Sequence, residues 1–168
     1  MSNWYYEVNE YCLHLSECYD TPLIIVTGIL SALSPNNTFA TNIASLEKFL
    51  ETDGQCKVST FDSQKTKARQ ILCMTTPCEL SIKRVLGGLK TKAFFENIYR
   101  PETSTAVTVD LWQIRWAKKL GIIPENGSLT KKRYGIISDA VTTMATKQNL
   151  LPHELQAQTW IEIRGDKY

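Results

Sequence analysis

Hydrophobic positions return every three or four residues along most of this chain, which is the spacing of amphipathic helices. Trp4, Val8, Tyr11, Cys12 and Leu15 form one such stripe, and Asp20-Thr21-Pro22 ends it. From Pro22 to Leu33 apolar residues occupy nearly every side, which predicts a helix at the centre of the core. Ser34-Pro35-Asn36-Asn37 breaks the pattern. A third helix then runs to about Glu51, with Phe39, Ile43, Leu46, Phe49 and Leu50 on one face and Thr52-Asp53-Gly54 as its stop. Residues 55–62 carry no clear period, and Val58, Thr60 and Phe61 admit an extended stretch. A basic helix follows over about Ser63 to Met74, and Thr76-Pro77-Cys78-Glu79 has the form of a capping box: Thr at the N-cap, Pro first, Glu third.

That short helix ends at Gly87-Gly88, and the next begins at Leu89 or Lys90 and reaches Arg100-Pro101. Ala106-Val107-Thr108-Val109 reads as an extended lead-in to a helix from about Asp110 to Lys119, ended by Gly121. After the loop Glu125-Asn126-Gly127, Ser128 or Thr130 opens a long helix to about Gln148. Leu151-Pro152 opens the last one, ending at Arg164-Gly165. There is no internal repeat and no linker-like tract. The expectation is all-α: a single compact bundle of about nine helices, large enough to bury a core without disulfide or metal staples.

Composition narrows the class. A hydrophobic fraction of 43% is that of an ordinary globular chain. The longest apolar run, from Leu23 through Leu30, is interrupted by Thr27 and Gly28 and is too short for a membrane span. The first residues offer neither a basic region nor an apolar stretch, so no secretion signal is expected and a cytoplasmic location is. The 5 cysteines are odd in number and contain no C-x-x-C, and His14 and His153 are the only histidines. That argues against zinc or an iron–sulfur cluster and for reduced, mostly buried thiols; no cofactor and no metal are expected. Net charge is only +2, but its distribution is uneven. Up to Asp20 the charges are all acidic, whereas Lys65-Lys67-Arg69, Lys83-Arg84, Lys90-Lys92, Arg115-Lys118-Lys119 and Lys131-Lys132-Arg133 follow later. Such patches permit nucleic acid as a partner without requiring it.

Two segments carry candidate chemistry. Val85 to Phe94 reads as a helix, a Gly87-Gly88 turn and a second helix, whose free N–H groups, with Lys90, Thr91 and Lys92 nearby, suit a DNA phosphate. Taken alone, it reads better as ordinary helix punctuation with solvated lysines. Further on, Val107-Thr108-Val109-Asp110 delivers one carboxylate to the first turn of a helix, where it is either a plain N-cap or a functional acid. A helix N-terminus favours its ionised form. Trp112 and Trp116 lie four apart and share a helix face, for core packing or for stacking a base; Met74 and Met144 read as core.

In this order the segments resemble the helix-hairpin-helix DNA glycosylase superfamily over about Pro22 to Leu120, leaving two C-terminal helices over 128–165. Asp110 matches the family's catalytic aspartate and Arg115 its arginine, while Leu111 and Trp112 depart from its Thr and His. Ile29-Leu30-Ser31-Ala32-Leu33-Ser34-Pro35-Asn36-Asn37-Thr38 is similar to its "ILSQQT" helix end, with Asn36 and Asn37 facing the lesion pocket. The resemblance implies hydrolysis of the N-glycosidic bond of a flipped base, with Asp110 stabilising the developing sugar cation or activating water. Lys92 takes the place of the Schiff-base lysine of bifunctional members when the hairpins are aligned on Gly88; a shifted alignment puts Thr91 there and loses the nucleophile. Gly87, Gly88, Lys90, Thr91, Arg115, Asn36 and Asn37 would hold DNA. The whole layout also resembles small proteins of tailed bacteriophages, which speaks to origin, and to a host-cell cytoplasm, more than to function. A base-modification transferase of related fold, or a DNA-binding or host-interaction protein without catalysis, stays open beside the glycosylase.

Overall fold

The computed structural model describes residues 4–164, which form nine helices and contain no strand. They are α1 (Trp4–Cys18), α2 (Leu23–Leu33), α3 (Phe39–Glu51), α4 (Asp62–Leu72), α5 (Glu79–Leu86), α6 (Leu89–Tyr99), α7 (Leu111–Lys119), α8 (Lys131–Lys147) and α9 (Pro152–Arg164). Gly165, the expected end of the last helix, lies outside the described residues. None of these helices is long and apolar enough to cross a membrane.

α2 is the hub. Every residue from Ile25 to Leu33 is buried, and α1, α3, α4, α5 and α6 all pack on it. Gly28 permits the closest approach: a Cβ there would stand 3.1 Å from both Ile71 of α4 and Ile82 of α5. This first core contains Leu30, Leu33, Leu46, Phe49, Ile71, Ile82, Phe95 and Ile98. A second, smaller core gathers Val107, Val109, Trp116, Ile123, Ile137, Val141 and Leu155 from the 107–109 segment, α7, the loop after it, α8 and α9. The cores meet where α9 crosses α1, with Trp160 packed against the first core.

The 107–109 segment is extended and buried yet has no neighbouring strand, so its backbone polar groups need side-chain partners. They have them. The Gln156 carboxamide accepts from Thr108 N–H at 2.9 Å and donates to Thr108 C=O, standing in for one rung of a sheet. The Tyr134 hydroxyl donates to Val107 C=O at 2.7 Å and accepts from Val109 N–H at 3.3 Å. Asn97 donates to Thr108 Oγ1 and accepts from Ser104. α8 and α9 thus hold the strand-like segment in place, and with it the residue that follows, Asp110.

Three local expectations are corrected. α5 is not capped by Thr76: Cys78 is the extended N-cap, its N–H donates to Ser81 Oγ at 3.0 Å, and Pro77 stays outside the helix. Ser81 thereby occupies the third helical position, and Glu79, at the first, pairs with Lys83 and Arg100 instead. Residues 55–61 form bends and irregular loop rather than a strand, pinned to the first core by Val58. The thiols are not mostly buried: Cys12 is, Cys56 partly so, and Cys18, Cys73 and Cys78 are exposed because they fall on outer helix ends and turns. Among the described residues no three His, Cys, Asp or Glu side chains gather as metal ligands.

Candidate functional site

A cavity of about 350 Å³ opens at the junction of the two cores, at the small end of the size range of ligand sites. Its wall is assembled from five places in the chain. Trp4 comes from α1; Ser34, Asn37, Thr38, Phe39 and Asn42 come from the α2–α3 corner; Lys90 and Phe94 come from α6. Thr108, Asp110 and Trp112 follow from the extended segment and α7, and Ala157, Trp160, Ile161 and Arg164 from α9.

Asp110 is both a cap and a wall residue. Its Oδ1 accepts the Gln113 N–H at 2.8 Å, closing the first turn of α7, and the Trp160 indole N–H at 3.2 Å. Both bonds fall on one oxygen, so neither engages Oδ2. The helix terminus does not decide its ionisation. Burial pushes the carboxyl above its ordinary value, and the Gln113 amide, the Trp160 indole and the positive charge of Lys90 offset this only in part. That corrects the expectation that the helix N-terminus sets the balance. A carboxylate held against aromatic rings, with a raised proton affinity, is suited to taking a proton from water or facing a developing cation.

Much of the remaining wall is aromatic. Trp4 stands edge-on to Trp160 at 5.2 Å and to Phe39 at 4.8 Å, with Phe94 at 6.2 Å. Trp112 is partly exposed at the mouth, with the Arg115 guanidinium 4.5 Å from its ring and Arg164 5.9 Å away. Its partner in the sequence reading, Trp116, is core. Flat apolar walls with cations at the rim suit a planar heterocycle attached to a phosphate chain.

The hairpin forms as its glycines require. Gly87 has φ +75° and ends α5, while Gly88 is extended and serves as the N-cap of α6. Lys67 closes the turn from outside by donating to Leu86 C=O at 2.8 Å. Of the hairpin residues, Lys90 reaches the cavity and Lys92 does not line it. The reason is helical phase: Lys90 and Phe94 share a face, whereas two residues along a helix is more than half a turn. Thr91 is buried and gives its hydroxyl proton to Gly88 C=O, so its side chain braces the turn. Asn37 lines the cavity; Asn36 is exposed at the corner with φ +61°. Arg115 does not line the cavity; its guanidinium stacks on Trp112, which does.

Asp110, Lys90 and Asn37 are therefore brought together on one cavity, whereas Gly87, Gly88, Thr91, Lys92, Arg115 and Asn36 do not line it. The sequence reading had missed Trp4, Phe39, Asn42, Trp160 and Arg164. Asn42 did carry a signal, since it stands one turn ahead of Leu46 on an otherwise apolar stripe.

Fold and site define an all-helical protein with an aromatic-walled cleft built around a helix-capping carboxylate. Over residues 2–167 the chain matches a family of unknown function (DUF7178), and it belongs to that family. No curated protein and no solved structure matches it.

Proposed function

We propose that this protein processes a DNA base, in the manner of a helix-hairpin-helix glycosylase that hydrolyses the N-glycosidic bond of a flipped nucleotide. One observation carries the reading: the Asp110 carboxylate, fixed through Oδ1, faces a cavity with aromatic walls and a lysine beside it. An extrahelical base would stack among Trp4, Phe39, Trp112 and Trp160, at an unstacking cost of about a few kcal/mol. Asp110 would then activate the water or stabilise the sugar as the base leaves. The Gly87-Gly88 turn, the first N–H groups of α6 and Lys90 would hold the phosphate next to the flipped nucleotide. Leu89 and Leu111 are exposed at the first positions of α6 and α7, and apolar side chains there suit filling a gap in a base stack.

The reading takes simple hydrolysis as the reaction, with Lys90, which lines the cavity, rather than Lys92 as the amine available should strand cleavage accompany it. The test is incubation with duplexes and single strands bearing uracil, oxidised, alkylated or hydroxymethylated bases. Abasic sites that form with the wild type and not with Asp110→Asn support the reading, and borohydride trapping lost in Lys90→Gln would add a lyase step. DNA binding without reaction on any substrate would leave a binding module. No DNA affinity at low salt would remove DNA from the account altogether.

A further inference from the structure

Trp112 and Arg115 stand three positions apart on α7 and so share one helix face. α9 packs against α7 and brings Arg164, its last residue, to the same indole. The Arg115 guanidinium lies 4.5 Å from the centre of the Trp112 ring, and that of Arg164 lies 5.9 Å from it. Two like charges beside one ring repel each other, while the negative face of the indole draws each of them in. No carboxylate among the described residues pairs with either arginine. Glu162, two residues before Arg164, is taken by Lys119 at 3.1 Å. Asp110, the one acidic side chain among the described residues of the cavity wall, accepts from the Gln113 amide and the Trp160 indole. Both arginines are exposed and Trp112 is partly so, which leaves the cluster open to a ligand. Trp112 and Arg164 line the cavity and Arg115 does not, so the positive charge continues from the wall onto the surface outside it. A guanidinium is a planar fork of donors that matches the oxygens of a phosphate, and stacking on an indole orients that fork before a ligand arrives.

We infer that the Arg115–Trp112–Arg164 cluster is a second phosphate-binding site, which takes the sugar–phosphate backbone of a bound strand on the α7–α9 side of the cavity. Lys90 and the hairpin, on α6, answer one phosphate of a nucleotide in the cavity. Cations that belong to other elements and extend beyond the cavity answer further phosphates, which a strand has and a mononucleotide lacks. The inference rests on the base-processing reading and adds that the ligand is a strand rather than a free nucleotide.

The experiment measures binding of a dye-labelled, mixed-sequence DNA strand, single and in duplex, to the full chain by fluorescence anisotropy over a range of salt concentrations. Arg115→Gln and Arg164→Gln each remove one charge from an exposed side chain that belongs to neither core. Each is expected to weaken binding about tenfold, the scale of one charge-assisted hydrogen bond. Each should also reduce the slope of log affinity against log salt by about 0.7 on the single strand and about 0.9 on the duplex. Lys147→Gln removes the same charge from an exposed residue that does not line the cavity, and should change neither quantity. Trp112→Leu keeps the net charge but frees both guanidiniums, so in that background Arg115→Gln should cost only about threefold. An unlabelled nucleoside monophosphate is the probe for a free nucleotide, and it should bind far more weakly than the strand. A monophosphate that binds as tightly as the strand, and loses as much with Arg115→Gln, overturns the inference. Losses for the two arginine variants no larger than for Lys147→Gln also overturn it and leave the base-processing reading standing. Absence of binding to either form of DNA by the wild type at low salt overturns both.

Discussion

Asp110 has two jobs in this structure, and replacing it by Ala and by Asn separates them. In Asp110→Ala the N-cap of α7 is lost, a change that costs about 1 kcal/mol. The Gln113 N–H and the Trp160 indole N–H also lose their acceptor, and a buried donor left unpaired costs about 1–3 kcal/mol. Asp110→Asn keeps an oxygen for both donors, and Asn ranks with Asp as a cap. What it removes is the charge, which burial disfavours. The Ala variant should therefore unfold below the Asn variant by about 1–3 kcal/mol, or several degrees in Tm for a chain of 168 residues. The Asn variant should equal or exceed the wild type at pH 7 while losing activity. The pH dependence has a definite sign. A carboxyl whose folded pKa is raised takes up its proton in the folded chain before the unfolded chain does so, near pH 3.9. The wild type consequently recovers stability as pH falls through the folded pKa, and its deficit against Asp110→Asn closes. His153 titrates in both chains and cancels in the difference. Urea unfolding of the three proteins at several pH values from 7 downward is the assay. If Asp110→Asn is less stable than the wild type at pH 7 and the difference does not close on acidification, the carboxylate is a net stabiliser and the burial reasoning fails.

Further predictions concern the supports of the site. Tyr134→Phe removes the partner of both Val107 C=O and Val109 N–H, and should cost about 1–3 kcal/mol in urea unfolding while lowering activity through Asp110; unchanged stability would mean the segment holds itself. His153 is buried, its Nε2 lies 2.6 Å from Pro101 C=O, and burial pushes its pKa down. The unfolded chain takes a proton near pH 6.5 that the folded chain resists, so stability should fall as pH drops below about 6.5, and His153→Gln should flatten that slope. For DNA binding, Lys90→Gln should reduce the slope of log affinity against log salt by about 0.9, one phosphate contact; an unchanged slope would place Lys90 off the backbone.

The helices were legible because burial on one face imposes a period that few other structures share. Their starts fall within about two residues of where pattern and caps put them. α5 is the exception in its chemistry: Thr76, Pro77 and Glu79 satisfy one capping rule while Ser81 satisfies another, two residues later, and local sequence does not arbitrate between them. The cysteines went astray for a related reason, since a thiol at a helix end can face either way. Within the site, Asp110, Lys90 and Asn37 could be found because each sits in a short motif. Trp4, Trp160 and Arg164 could not, because only the crossing of α9 over α1 brings them to α7 and the hairpin.

Asn42 lies between these cases. A polar residue on an apolar stripe is readable, but it is an ambiguous sign, because most buried polar side chains serve the fold. Asn97 and Gln156 stand in equally dry surroundings, and each has both ends of its carboxamide occupied, tying the 107–109 segment to α6 and α9. Gln113 has an unpaired Nε2 but does not line the cavity. Asn42 alone among these four joins an unpaired atom to a place on the cavity wall. Composition and spacing do not distinguish a buried asparagine whose carboxamide is fully paired from one that keeps an unpaired oxygen; what differs is the account of partners, atom by atom, and that account exists only once the chain is folded.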